Sequence, residues 1–205
     1  MLKVYYADIS RLKCEPDEKW MSSYRLDRLI HMKHKESRQQ GIGAELLLNH
    51  AVREVRPHQP LPLDIIKGRD GKPGCPGLDL FFNISHSANI TACCISDKEV
   101  GLDVQKKVLF NEKLARREFT DSEIKYIFSS ADQDSAFTRI WARKESFLKA
   151  QGCGLRFPMS NFSVLPGEYT DSGYSVWDRF TGDFCFAVCV KGRMISEPEI
   201  IRAEL

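Results

Sequence analysis

The sequence predicts an α+β protein of two pseudo-symmetric lobes, each a small sheet packed with helices. Two observations carry this reading. A chain of 205 residues suits one large domain or two lobes of about a hundred residues each, and in each half a helical stretch is followed by paired apolar, strand-like runs. With 42% hydrophobic and 28% charged residues, there is enough apolar surface for a core. Disordered, collagen-like and small disulfide-stapled chains are excluded. The predicted lobes are residues 1–104 and 105–205, with the functional cleft between them.

Val4 to Ile9 reads as the first strand. From Pro16 to Val55 the pattern turns helical, with apolar stripes at Leu26, Leu29 and Ile30 and at Leu46–Leu48 with Ala51 and Val52. A loop rich in Pro and Gly follows from Pro57 to Gly77, carrying Arg69-Asp70-Gly71-Lys72-Pro73. The apolar run Leu80–Ile84 leads into Ser85-His86-Ser87. Ile90–Ile95 and Val100–Val104 then read as a hairpin closed by Ser96–Glu99. In the second half, Asn111–Phe128 is helical, with a restart at the capping-box pattern Thr120-Asp121-Ser122-Glu123. Ala136–Gln151 is the best amphipathic helix, ended by Gly152. Ser172–Phe180 and Phe184–Val190, joined by Thr181-Gly182-Asp183, form the closing hairpin.

Charge and cysteine content narrow the class of function. Thirty Lys and Arg against 28 Asp and Glu leave a formal charge of +2, which argues against binding nucleic acid through bulk charge. Any anion site must therefore be a local cluster. The seven cysteines are odd in number and show no CxxC spacing, unlike a disulfide framework or a zinc site. Without a signal-like leader or a long apolar run, the chain reads as a soluble, cytoplasmic protein in a reducing compartment.

Four segments carry chemistry. Arg25, Arg28, Lys33, Lys35 and Arg38 outnumber Asp27 and Glu36 over one stretch. Arg25 and Arg28, three apart on a helix, share a face that either grips a phosphate or is simply a solvated surface. Asn83-Ile84-Ser85-His86-Ser87 ends an apolar strand. Its hydroxyls, imidazole and backbone N–H groups suit an anion, although a strand-end Ser-His pair also serves structure. A serine nucleophile is disfavoured there, because adjacent strand residues face opposite ways and no G-x-S-x-G elbow is present. In Val100-Gly101-Leu102-Asp103-Val104-Gln105, Asp103 and Gln105 project from one strand face. If buried, Asp103 needs a partner such as a hard metal; if at a strand end, it meets water. Within Trp141–Ala150, Glu145 and Lys149 stand at i,i+4, either as a helix ion pair or as two groups aimed at a ligand beside Asp103.

The order of these segments resembles the 4′-phosphopantetheinyl transferases, in particular the two-lobed, surfactin-synthetase-activating (Sfp-like) branch. The matching pieces are Gly71-Lys72-Pro73, Phe82–Ser87, Gly101-Leu102-Asp103-Val104, Phe119 with Glu123, and Trp141-x-x-Lys144-Glu145-Ser146-x-x-Lys149-Ala150-x-Gly152-x-Gly154-Leu155. They span roughly residues 70 to 165 in the family's order. The resemblance implies transfer of the 4′-phosphopantetheine arm of coenzyme A to a serine of an apo acyl or peptidyl carrier protein, releasing 3′,5′-ADP. It implies that Asp103 and Glu145 hold Mg²⁺ (or Mn²⁺) on the CoA diphosphate, with Gln105 adding an oxygen directly or through water, and that Glu123 helps orient metal or water. Lys72, Ser85, His86, Arg25 and Arg28 would bind the 3′-phosphate. Glu145 would be the base for the carrier serine, and Lys149 would meet charge on the departing phosphate. Lys72, Arg25, Arg28 and Lys149 supply the counter-charge for CoA, and a monomer is implied.

Two positions depart from the family. Gln105 stands where relatives often carry a second acid, which implies altered metal affinity and motivates the alternative of a non-catalytic relative that binds CoA or a carrier protein. Gln40 stands where many relatives have a basic residue, which weakens Arg38 as a phosphate ligand. A nucleic-acid-binding module is disfavoured, because no aromatic residues interleave with the basic ones as a stacking platform requires.

Overall fold

A computed structural model describes residues 1–68, 71–154, 157–167 and 173–205. Arg69, Asp70, Leu155 and Ser172 of the segments above lie outside the described residues. The chain divides into two compact units, Met1–Lys98 with Pro198–Leu205, and Glu99–Glu197.

In the first unit, β1 (Leu2–Asp8) is followed by a short 3₁₀ turn, α1 (Ser23–Ile30) and α2 (Lys35–Val55). Next come the two-residue strands β2 (Ile66–Lys67) and β3 (Pro73–Gly74), then β4 (Phe81–Ser87) and β5 (Ile90–Ser96). Ser22 starts α1 by accepting a hydrogen bond from the Arg25 amide, the usual task of an N-cap hydroxyl. The sheet order is β4-β5-β1-β9, where β9 is Glu199–Arg202, antiparallel except that β9 runs parallel to β1. Leu47, Leu48, Ala51 and Val52 of α2 are fully buried against Tyr5, Phe82, Cys93 and Ile95 of this sheet. They are four of the five residues of the apolar stripe read from the sequence; the fifth, Leu46, is partly buried and packs against Met21, Leu29 and Ile42 instead.

The second unit runs β6 (Val100–Lys106), α3 (Glu112–Glu118), α4 (Asp121–Ser129), α5 (Gln133–Gln151), β7 (Tyr174–Thr181) and β8 (Phe184–Lys191). Its antiparallel sheet has the order β6-β8-β7. The capping box is present: the Thr120 hydroxyl takes the Glu123 amide while the Glu123 carboxylate takes the Thr120 amide. Gly152 ends α5 with φ +76°, a left-handed cap that favours glycine. The β7–β8 hairpin turns at Gly182, φ +57°.

The hairpin read across Ser96–Glu99 is corrected. β5 already has β4 on one edge and β1 on the other, so it has no edge to offer β6, which pairs with β8. Ser96–Lys98 of the polar link stay in the first unit, where the N-terminal ammonium donates to Asp97 at 2.7 Å and the Lys98 amide donates to the Ser96 hydroxyl at 3.0 Å, while the Glu99 carbonyl takes the Lys191 amide of the second unit at 2.9 Å. The division therefore falls at Lys98/Glu99, not 104/105, which places Asp103 in the same unit as Glu145 and Lys149. The strand β9 that returns to the first unit was not read from the sequence.

Helix α5 lies on β6 with almost no spacing. A Cβ at Gly101 would drive into the Ser146 carbonyl oxygen and the Ala150 amide nitrogen. Both are backbone atoms, so the helix would have to move. Gly101→Ala is expected to cost about 3 kcal/mol, the upper end of ordinary overpacking, measured as a lowered urea midpoint at constant m.

Candidate active site

The predicted residues fall into two sets, one in each unit. In the first unit a cavity of about 170 Å³ is lined by Tyr24, Arg25 and Arg28 of α1, Pro73, and Phe82, Asn83, Ile84 and His86 of β4, with Ala44 of α2. Arg25 is nearly buried and is anchored from behind. Its Nε lies 3.4 Å from Glu45 Oε2, and Glu45 Oε1 also takes the Ser22 amide at 3.0 Å. Arg28 Nη1 donates to Tyr24 Oη at 3.0 Å and the guanidinium rests 5.6 Å from that ring. Two guanidiniums and an imidazole thus border one small polar cavity, an arrangement suited to a phosphate.

Lys72 and Ser85 do not line this cavity; Lys72 precedes Pro73, and Ser85 is buried on the face of β4 opposite His86, as the alternation of a strand requires. Arg38 donates to the Leu29 carbonyl at 2.7 Å and so closes the end of α1. Gln40 donates to the Ala88 carbonyl at 3.0 Å. Sequence reasoning missed Tyr24 and Glu45. Glu45 left a signal: a lone acid inside the apolar stretch Ile42–Leu48 has to be paired if it is buried.

The second set sits where α5 crosses β6. Gly101, Asp103 and Gln105 share one face of β6, and the contact of Gly101 with Ser146 and Ala150 shows that this face meets α5. Asp103 is buried, and its Oδ1 accepts a hydrogen bond from Lys149 Nζ at 2.6 Å. Burial pushes the Glu145 carboxyl above its ordinary value; Lys149 pulls it down, and the negative charge of Asp103 adds to the rise. Asp103, Glu145 and Lys149 are therefore within electrostatic reach of one another. Gln105 Nε2 lies 3.4 Å from the Lys106 carbonyl.

Two carboxylates and an amide oxygen are hard donors of the kind Mg²⁺ takes, and the repulsion from Asp103, which adds to the rise that burial causes at Glu145, is of the kind a divalent cation relieves. No group of three or more His, Cys, Asp and Glu side chains placed to hold a metal occurs among the described residues. Asp103, Glu145 and Gln105 could contribute at most part of a shell; Mg²⁺ characteristically takes its remaining ligands from water and phosphate oxygens.

Glu123 is engaged in structural contacts within the second unit. It is fully buried; Oε2 lies 2.8 Å from Lys144 Nζ and takes the Thr120 amide at 2.9 Å, while Oε1 takes the Val164 amide at 2.9 Å. Both oxygens are engaged away from solvent, and together they tie the start of α4 to α5 and to the Val164 amide. Lys144 completes the arrangement by donating to the carbonyls of Met159 and Phe162 at 2.7 and 2.6 Å.

Among the described residues, no helix is long and apolar enough to cross a membrane. No disulfide joins any of the seven cysteines, all of which are among the described residues.

A family model described as the 4′-phosphopantetheinyl transferase superfamily matches residues 99–189, nearly the whole second unit. The 4′-phosphopantetheinyl transferase Sfp of Bacillus subtilis is 28% identical over 170 residues, 80% of this chain and 76% of its own length. The 4′-phosphopantetheinyl transferase AcpT of Salmonella typhimurium is 31% identical over 175 residues, 81% of this chain and 86% of its own. A Thermotoga maritima holo-[acyl-carrier-protein] synthase overlaps 46% of this chain and 64% of its own, at 22% identity and a TM-score of 0.40.

Proposed function

Because the chain belongs to the 4′-phosphopantetheinyl transferase superfamily and is a transferase, we propose that it moves the phosphopantetheine arm of coenzyme A onto a serine of an apo carrier protein, in an Mg²⁺-dependent reaction that releases 3′,5′-ADP. The observation that carries this reading is the juxtaposition of Asp103, Glu145 and Lys149 where α5 crosses β6.

Asp103 and Glu145, with Gln105 directly or through water, would hold the metal, which when bound supplies Lewis-acid polarisation and neutralises diphosphate charge. Glu145, raised toward neutrality by burial, is suited to accept the proton of the carrier serine hydroxyl as its oxygen bonds to phosphorus. Lys149 meets the charge that develops on the leaving 3′,5′-ADP phosphate as the bridging P–O bond breaks. In the first unit, Arg25, Arg28 and His86, which line one cavity, are assigned to the 3′-phosphate of CoA; Lys72 and Ser85, outside that lining, are kept in the assignment on the family resemblance alone. The carrier protein is then a transient partner of a cytoplasmic monomer.

The phosphate assignment has a direct test. Arg28→Ala and His86→Ala are each expected to weaken CoA binding roughly tenfold or more, since hydrogen bonds to charged groups contribute about 1.5–3 kcal/mol. Affinity for 3′-dephospho-CoA should hardly change. Calorimetric titration reads both, and equal losses for the two ligands would remove these residues from the 3′-phosphate site.

A further inference from the structure

Helix α5 sits on its sheet along a seam of small residues. Ala142, Ser146 and Ala150 are buried; Ser146 and Ala150 meet Gly101 of β6, and Ala142 clusters with Cys185 and Ala187 of β8. Such a seam allows close approach, while Phe137, Ile140, Phe147 and Leu148 elsewhere on the helix pack into apolar clusters. Charged groups of the helix also meet carboxylates of the sheet on both sides of the seam. Asp103 of β6 is opposite Ala187 of β8, and Ala187 is opposite Asp178 of β7. Cross-strand partners project to the same face, so the two aspartates flank Ala187 in one row beneath the helix.

On α5 the corresponding charged residues form two stripes. Arg139 and Arg143 are one turn apart, as are Glu145 and Lys149. At 3.6 residues per turn the stripes lie roughly 120° apart, with Ala142 and Ser146 between them. On one side Lys149 reaches Asp103 at 2.6 Å. On the other, Arg139 Nε donates to Asp178 Oδ2 at 2.7 Å and Arg143 Nη1 to Oδ1 at 2.8 Å. Arg143 is almost wholly buried and also donates to the carbonyls of Val164 and Leu165. Arg139 donates on to Tyr126 Oη at 2.9 Å.

We propose that Asp178, gripped by Arg139 and Arg143, is a positioning residue that fixes the roll of α5 and thereby the placement of Glu145 against Asp103. Asp178 acts only through the helix. The inference rests on the reading of Asp103 and Glu145 as the metal-holding and proton-accepting pair. Releasing the Asp178 side leaves the Lys149–Asp103 contact and the Gly101 seam intact but frees the helix to turn by a small angle. A displacement near 1 Å at reacting groups can lower a rate about 10²-fold.

The test uses the full-length chain with CoA, an apo carrier protein and Mn²⁺ as the metal probe. Asp178→Asn is expected to keep the native circular dichroism spectrum, to lower kcat roughly tenfold or more with KM for CoA within about twofold, and to weaken Mn²⁺ binding, read by electron paramagnetic resonance of the free ion. Asp178→Glu, which keeps the charge, should recover much of both losses. If Asp178→Asn does not fold, Arg139→Met removes one grip from a part-exposed position and reads the same quantities. Unchanged kcat and Mn²⁺ affinity in a folded variant, or loss of folding in both variants, would overturn the proposal. If the wild type itself transfers no arm, it is the functional reading that fails, and the Mn²⁺ comparison still reports on Asp178.

Discussion

Glu145→Gln is expected to lower the rate of arm transfer by about 10²–10⁴-fold, the usual contribution of a positioned general base. Glutamine keeps the length and shape of the side chain, so α5 and its seam with β6 stay in place. What it removes is the ability to accept the serine proton and one of the two negative charges that would hold Mg²⁺. CoA should still bind through the first unit, so KM for CoA should change far less than kcat. Single-turnover transfer to an apo carrier protein is the appropriate readout, and a rate within threefold of wild type would take Glu145 out of the chemistry. The same variant has a stability signature. Burial raises the Glu145 pKa, so in the metal-free protein the folded state holds this proton to higher pH than the unfolded state does. Stability therefore falls as pH rises from the unfolded glutamate value through the raised folded one. Glu145→Gln removes that loss. Its urea midpoint should vary less over this range and lie at or above wild type on the alkaline side.

Glu123→Ala is expected to cost about 3–5 kcal/mol of folding free energy, the usual penalty for removing one member of a buried ion pair. Both Glu123 and Lys144 are fully buried. Desolvation lowers the Lys144 pKa and Glu123 opposes that fall, so without Glu123 the ammonium loses its paired charge and keeps neutral partners, the Met159 and Phe162 carbonyls and the Phe162 and Phe119 rings. The capping box of α4 and the Val164 amide lose their acceptor as well. The double variant Glu123→Gln with Lys144→Met should recover much of the loss, because replacing a buried ion pair as a whole often costs little. Urea unfolding measures both. A cost below about 1 kcal/mol for Glu123→Ala would contradict the structural role given to this carboxylate and favour a metal-orienting one.

What was legible in the sequence was local. The capping box at Thr120, the Gly152 stop and the Gly182 turn each depend on a few adjacent residues, and each occurs where the pattern placed it. The Ser96–Glu99 link was misread because a short polar stretch between two apolar runs describes a hairpin and an inter-unit connection equally well. Only the occupation of both β5 edges decides between them. Strand β9 escaped notice because four half-exposed residues at the end of the chain carry no clean alternation, and their parallel partner β1 is nearly two hundred residues away.

The site divides along the same line. Asp103, Glu145 and Lys149 could be singled out because strand and helix periods place them on definable faces. Their proximity is long-range, 46 residues separating Lys149 from Asp103. Glu123 was assigned a metal-orienting role from its motif position, which says nothing of what its carboxylate touches. The Arg139–Asp178–Arg143 group went unseen for a similar reason, since nothing in β7 marks an aspartate as buried until the register with β8 is known.

Intact-mass spectrometry of several apo carrier proteins, incubated with the wild-type chain, CoA and Mg²⁺, is the most direct test of the central claim. The expected result is a mass increase of one phosphopantetheine arm on at least one carrier, abolished by replacing its acceptor serine and by chelating the metal, with 3′,5′-ADP appearing in equal amount. Binding of CoA by a folded protein that leaves every carrier unmodified would contradict it and favour a non-catalytic relative.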